Sequence, residues 1–142
     1  MITRGAVACM LVVLGWDLAA EVAYVGDGVY SDRQAEQGRV AYRAACASCH
    51  LEDLSGDGDA PPLKGRGFLA RWAELSVGDL IAATRTTMPK EAPDSLSFST
   101  YVELSAYLLQ VNGMPSGERA LPVDVDALWN VVIAANNPPP DQ

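Results

Sequence analysis

The strongest constraint on this chain is five residues long: Cys46-Ala47-Ser48-Cys49-His50. Two cysteines at i and i+3, with a histidine next in line, form the C-x-x-C-H arrangement of covalent c-type haem attachment. The chemistry demands this spacing. On a helix, positions three and four apart share a face, so Cys46, Cys49 and His50 project together. The two thiols can then form thioethers with the two vinyl groups of one haem, while the imidazole reaches its iron from one side.

Other uses of paired cysteines fit less well. A structural zinc site needs four ligands, and the chain offers one histidine and three cysteines. The third, Cys9, sits in a stretch expected to be removed. A thioredoxin-like dithiol calls for a βαβ surround, whereas the flanks here read as helical. The residues favour haem.

The N-terminus has Arg4, an apolar run over residues 5–16, and small residues at Ala19, Ala20 and Ala23. A basic start, an apolar middle and a small-residue cleavage zone make a secretory signal peptide, assigned to residues 1–23. Asp17, Leu18 and Glu21 interrupt the small-x-small choices, so the cleavage point is not fixed. The run is too short to cross a bilayer comfortably, and no stable membrane span is expected after cleavage. Export to a bacterial periplasm suits covalent haem attachment, which requires reduced thiols delivered to an exported machinery. With Cys46 and Cys49 consumed by haem, no disulfide is expected.

The formal net charge is −8, and it is unevenly spread. Residues 32–90 hold eight acids and eight bases, so the acidity lies in the flanks. That balance disfavours nucleic-acid binding. The plain reading of the excess is a solvated surface; the functional one is steering of a basic partner.

The rest of the chain reads as one domain of helices separated by turn formers. Residues 24–30 are a loose, glycine-rich lead-in. Ser31 opens a helix with Gln34 as its capping-box partner, running to about Cys46 with Ala35, Gly38, Tyr42 and Ala45 inward. Gly38 costs that helix about 1 kcal/mol relative to alanine and marks a close helix crossing. In the 51–67 loop, Asp53, Ser55, Asp57, Gly58 and Asp59 faintly resemble a calcium loop, but Lys64 stands where the twelfth-position glutamate is needed. These acids are expected to cap the loop instead. Phe68, Leu69 and Trp72 form a short apolar helical segment. A helix from Ser76 carries Val77, Leu80, Ile81 and Thr84, and Pro89 and Pro93 then break regular structure. Ser97 opens the last clear helix, striped by Tyr101, Leu104, Leu108 and Val111 and ended by Asn112-Gly113 before Pro115. The haem-binding domain is expected to span residues 31–123. Residues 124–142 form an acidic, proline-rich C-terminal extension, in which 125–133 pack on the domain as a short helix or strand.

His50 fills one axial position of the iron, and a single histidine precludes a second imidazole from this chain. The candidates for the other side are Met88, Met114, Lys90 or an open position. Met88 lies between two helices in Thr86-Thr87-Met88-Pro89, where proline limits the loop's freedom and lowers the cost of presenting sulfur. Met114 directly follows a helix stop, where an apolar cap contact is ordinary. Met88 is favoured.

Taken together, residues 30–123 resemble a class I cytochrome c. The resemblance is carried by Gly38 and Tyr42, Cys46-x-x-Cys49-His50, Pro61-x-Leu63, Met88-Pro89 and Ala106-Tyr107-Leu108. It implies an all-α cytochrome c fold, with three main helices plus short helical segments around one covalently attached haem c. The first and last helices are then expected to cross at Gly38 and Tyr101 or Tyr107. It also implies iron held between His50 and Met88, with the Pro61 carbonyl accepting a hydrogen bond from the His50 ring. Leu63, Phe68, Leu80, Leu104 and Leu108 would wall the haem, and Trp72 or Arg66 would reach a propionate. The Phe68-Leu69-Ala70-Arg71-Trp72 and Arg85-Thr86-Thr87-Met88-Pro89 segments are similar to small periplasmic cytochromes associated with quinoprotein dehydrogenases.

The expected function is single-electron transfer between a dehydrogenase and a downstream oxidase or cytochrome, and not catalysis. Thioether ligation and an apolar pocket both raise the potential. Partner proteins are expected to dock weakly at an exposed haem edge, ringed by Lys64, Arg66 and Arg71. The alternative is a gas sensor or peroxidase-like enzyme with an open sixth position. The lack of a second histidine argues against peroxide chemistry.

Overall fold

A computed structural model describes residues 22–134. The expected signal peptide up to residue 21, Cys9, and the proline run near residue 139 lie outside the described residues. Six helices follow in chain order: α1 (Asp32–Ala45), α2 (Ala47–His50), α3 (Arg66–Trp72), α4 (Val77–Thr87), α5 (Phe98–Val111) and α6 (Val125–Trp129). Two short strands, β1 (Ala23–Tyr24) and β2 (Val131–Val132), pair in parallel with Ala23 opposite Val131 and Tyr24 opposite Val132. This is the all-α architecture that the resemblance implies. Among the described residues, no helix is long and apolar enough to cross a membrane.

Local capping fixes the helix starts. Ser76 receives the Asp79 amide at 3.0 Å while the Asp79 carboxylate accepts the Ser76 amide at 2.9 Å, a complete capping box. Ser97 caps α5 through the Thr100 amide. At α1 the arrangement departs from expectation. Ser31 accepts the Gln34 amide, but the Gln34 side chain does not return to Ser31. It pairs reciprocally with Leu121 instead, donating to the Leu121 carbonyl at 3.1 Å and accepting the Leu121 amide at 2.9 Å. Leu121 presents a backbone donor and acceptor together, and a buried primary amide matches both at once.

The core forms where α1 and α5 cross. Gly38 meets the backbone of α5 directly: an added Cβ would sit 1.9 Å from the Glu103 carbonyl oxygen and 2.9 Å from Tyr107 Cβ. Tyr107, not Tyr101, is therefore the aromatic at the crossing. Its ring lies 5.4 Å from that of Tyr42, tilted by 53°, a favourable edge-inclined geometry.

The two flanks are part of the fold. The Gly117 amide donates to the Tyr30 carbonyl at 2.7 Å, and the Ile133 amide and carbonyl bridge to Leu75 and Glu74 at 2.8 and 3.1 Å. Leu121, Leu128, Val131 and Ile133 are buried in the same core as Val25 and Val77. The segment after residue 123 forms both a helix and a strand, and it closes over the lead-in.

Candidate haem site

The histidine side of the site is one helical turn. Cys46 closes α1 through its amide to Tyr42 and opens α2 through its carbonyl, which accepts the Cys49 and His50 amides at 3.2 and 2.9 Å. Its backbone (φ −125°, ψ −34°) breaks the helix between the two. Both thiols are free; Cys46 is half-buried and Cys49 exposed. Burial, reinforced by neighbouring Cys49, pushes the Cys46 thiol up to about 11, so it is uncharged at neutral pH.

The His50 ring is buried, with 6 % exposure, and its Nδ1 lies 2.9 Å from the Pro61 carbonyl oxygen. A carbonyl only accepts, so Nδ1 carries a proton and Nε2 is the ring nitrogen left to meet a metal. Nε2 forms no hydrogen bond among the described residues, yet none of their sealed side-chain nitrogens or oxygens lacks a partner. Nε2 therefore opens onto accessible space, as a metal-binding nitrogen must.

Loop geometry delivers Pro61 to His50. Leu51 turns the chain at φ +62°, and the Tyr42 hydroxyl secures that corner by donating to the Leu51 carbonyl at 2.7 Å. The Gly56 amide donates back to the His50 carbonyl at 3.1 Å. Gly56 sits at φ +69°, with space so tight that a Cβ would fall 2.1 Å from the Ala60 carbonyl oxygen. Only glycine allows both. The acids act as loop caps, as expected: Asp53 accepts the Ser55 amide and hydroxyl, and Asp57 accepts the Ala60 amide. Asn112, expected only as a helix stop, clamps the far end. Its side chain donates to the Leu63 carbonyl at 3.0 Å and accepts the Gly65 amide at 2.9 Å.

Met88 is the C-cap of α4 in extended conformation (φ −132°, ψ 150°). Its amide donates to Thr84 at 2.8 Å, and its carbonyl accepts the Tyr101 hydroxyl at 2.9 Å. The following loop is tied back by an Arg85–Asp94 ion pair and by the Asp94 amide on the Arg85 carbonyl. Phe68, Leu80, Leu104 and Leu108 are buried in one apolar cluster, against which Leu63, Trp72, Cys46 and Met114 also pack. Met88 is half-buried without joining that cluster. Met114 is thus an apolar packing residue, and its carbonyl is taken by the Tyr30 hydroxyl. Lys90 is exposed.

The charged candidates are dispersed in role. Lys64 pairs with Asp53 at 3.3 Å. Arg71 lies over the Trp72 ring at 5.4 Å, and Trp72 is tilted against Phe68 at 6.4 Å. Arg66 opens α3 and is exposed. Sequence reasoning missed the hydroxyl contacts of Tyr42 and Tyr101 and the Asn112 clamp. Tyr42 and Tyr101 were visible as inward positions and, by the resemblance, as a matching residue and a candidate at the helix crossing, and Asn112 as a helix stop, but none of their polar partners was.

The donor set fits a covalently held haem: two free thiols, an oriented imidazole and an apolar wall. These features and the helical fold define a class I c-type cytochrome. Residues 33–108 match the sequence model of the family described as "Cytochrome C oxidase, cbb3-type, subunit III", and the chain belongs to that family of haem c domains. No curated protein and no solved structure matches the chain. Family membership assigns one covalently attached haem c and a role in electron transfer, with redox proteins as partners. When bound, haem c supplies an iron centre that gains and loses one electron.

Proposed function

We propose that the protein is a periplasmic mono-haem electron carrier that accepts single electrons from a dehydrogenase and passes them to an oxidase or another cytochrome. Cys46 and Cys49 would hold the haem by thioethers, and His50 and Met88 would supply nitrogen and sulfur to its iron. Leu63, Phe68, Leu104 and Trp72 line the pocket, with the Pro61 carbonyl orienting the imidazole. Residues 31–123 are the haem-binding part, closed by the segments on either side. The observation that carries this reading is the His50 ring, donating from Nδ1 to the Pro61 carbonyl and open at Nε2. The segment around Met88-Pro89 supports a quinoprotein dehydrogenase as donor, and the oxidase named in the family description supports a terminal oxidase as acceptor.

A nitrogen–thioether pair fixed by the protein keeps the coordination the same in both oxidation states, so little rearranges as the electron moves. His50 contributes by holding its tautomer, and the apolar wall by disfavouring added positive charge.

The test is the optical spectrum of the exported holoprotein in both oxidation states. The weak far-red ferric band of iron–sulfur ligation is expected in the native protein and in Met114→Ala, and is expected to vanish in Met88→Ala. A high-spin ferric spectrum that responds to peroxide, or a reduced form that binds carbon monoxide freely, would overturn the carrier reading.

A further inference from the structure

Both backbone polar groups of Met88 are tied, and by different helices. The amide belongs to the last turn of α4 through Thr84. The carbonyl belongs to α5 through the Tyr101 hydroxyl at 2.9 Å. Tyr101 has no exposed surface and sits in the first turn of α5, its amide bonded to the Ser97 carbonyl at 3.2 Å. Its phenol is therefore a rigid strut from the core to the Met88 backbone. The other tie on this loop, Arg85–Asp94, joins side chains that are 44 % and 56 % exposed, where water competes for both partners and the net gain is small. The buried contact is the one that water replaces least well.

We propose that Tyr101 is a positioning residue for the iron–sulfur bond. Its hydroxyl, acting through the Met88 carbonyl, holds the loop in the conformation that presents the Met88 sulfur. This rests on the Met88 assignment above. A ligand held by its own loop is lost whenever the loop opens, so an external ligand competing for the iron binds in proportion to the open fraction. Removing one hydrogen bond of ordinary worth enlarges that fraction about three- to tenfold.

The experiment uses ferric holoprotein and cyanide as the competing ligand. Tyr101→Phe removes one oxygen atom and keeps the ring in the core, so the fold survives. Its cyanide affinity is expected to rise about three- to tenfold, with the far-red band weakened in buffer alone. Tyr30→Phe is the control. It removes the same kind of hydroxyl–carbonyl bond, from Tyr30 to Met114, and is expected to lower stability without changing cyanide affinity. Unchanged affinity in Tyr101→Phe, or an equal rise in Tyr30→Phe, overturns the inference. Met88→Ala separates the two claims. A far-red band that persists in Met88→Ala overturns the ligand assignment and this inference with it. A band lost there, with native cyanide affinity in Tyr101→Phe, overturns this inference alone.

Discussion

At the scale of single residues, a missing side chain sets how closely two helices approach. Gly38 faces the Glu103 carbonyl at a distance no Cβ can occupy, and the obstacle is backbone. Gly38→Ala must push α5 away from α1 and loosen the Tyr42–Tyr107 contact. The better helix propensity of alanine returns about 1 kcal/mol, less than the strain of overpacking. The expected net loss is about 2 kcal/mol, read as a lower denaturation midpoint of the holoprotein with an unchanged slope. Gly38 was legible in the sequence because a glycine inside a capped helix is costly and needs a reason. Tyr101 was legible as an apolar stripe position and a candidate for the helix crossing, not as a partner of Met88. The period of a helix says which face is inward, but not which carbonyl the end of a phenol reaches. That depends on how the α4–α5 connection folds back.

At the scale of elements, the helix starts were readable because caps are local. Ser76 with Asp79, and Ser97 with Thr100, are satisfied within three residues. The loop from Leu51 to Leu63 was readable only as a loop, since its shape depends on contacts distant in sequence. Asn112 shows the difference. As a helix stop it is local, and its side chain still reaches the Leu108 carbonyl at 2.8 Å. As a clamp it spans to Leu63 and Gly65 and holds the segment that carries Pro61 toward His50. Asn112→Ala leaves the Leu63 carbonyl and Gly65 amide to water and is expected to cost about 1–2 kcal/mol. The sharper readout is amide exchange. Gly65 should exchange faster in the variant while the amides of α4 keep their native rates. Uniform acceleration throughout would mean a global loss of stability and no local clamp.

At the scale of the molecule, the segments on either side of the haem-binding helices act as one closure. Glycine made residues 24–30 look like a loose lead-in, and although residues 125–133 were expected to pack on the domain, composition could not say that they would close over that lead-in. Gln34 is joined to Leu121, Tyr30 to Gly117, and β1 to β2. Leu128 and Ile133 are each 1 % exposed, and Val131 is 6 % exposed. Trp129 lies flat against Gly78 in α4, so near that an added Cβ would fall 2.7 Å from its ring. A variant ending at Val123 removes α6 and β2 and uncovers Val25 and Val77, both fully buried. Losing three large buried side chains exceeds a single core truncation, so its unfolding free energy should fall by about 3 kcal/mol or more. None of the hydrogen bonds that hold His50 and Met88 comes from α6 or β2. The far-red ferric band should therefore persist in the shortened protein at low temperature while its thermal midpoint drops. A shortened protein as stable as the full chain would mean that the terminal segment rests on the domain without supporting it.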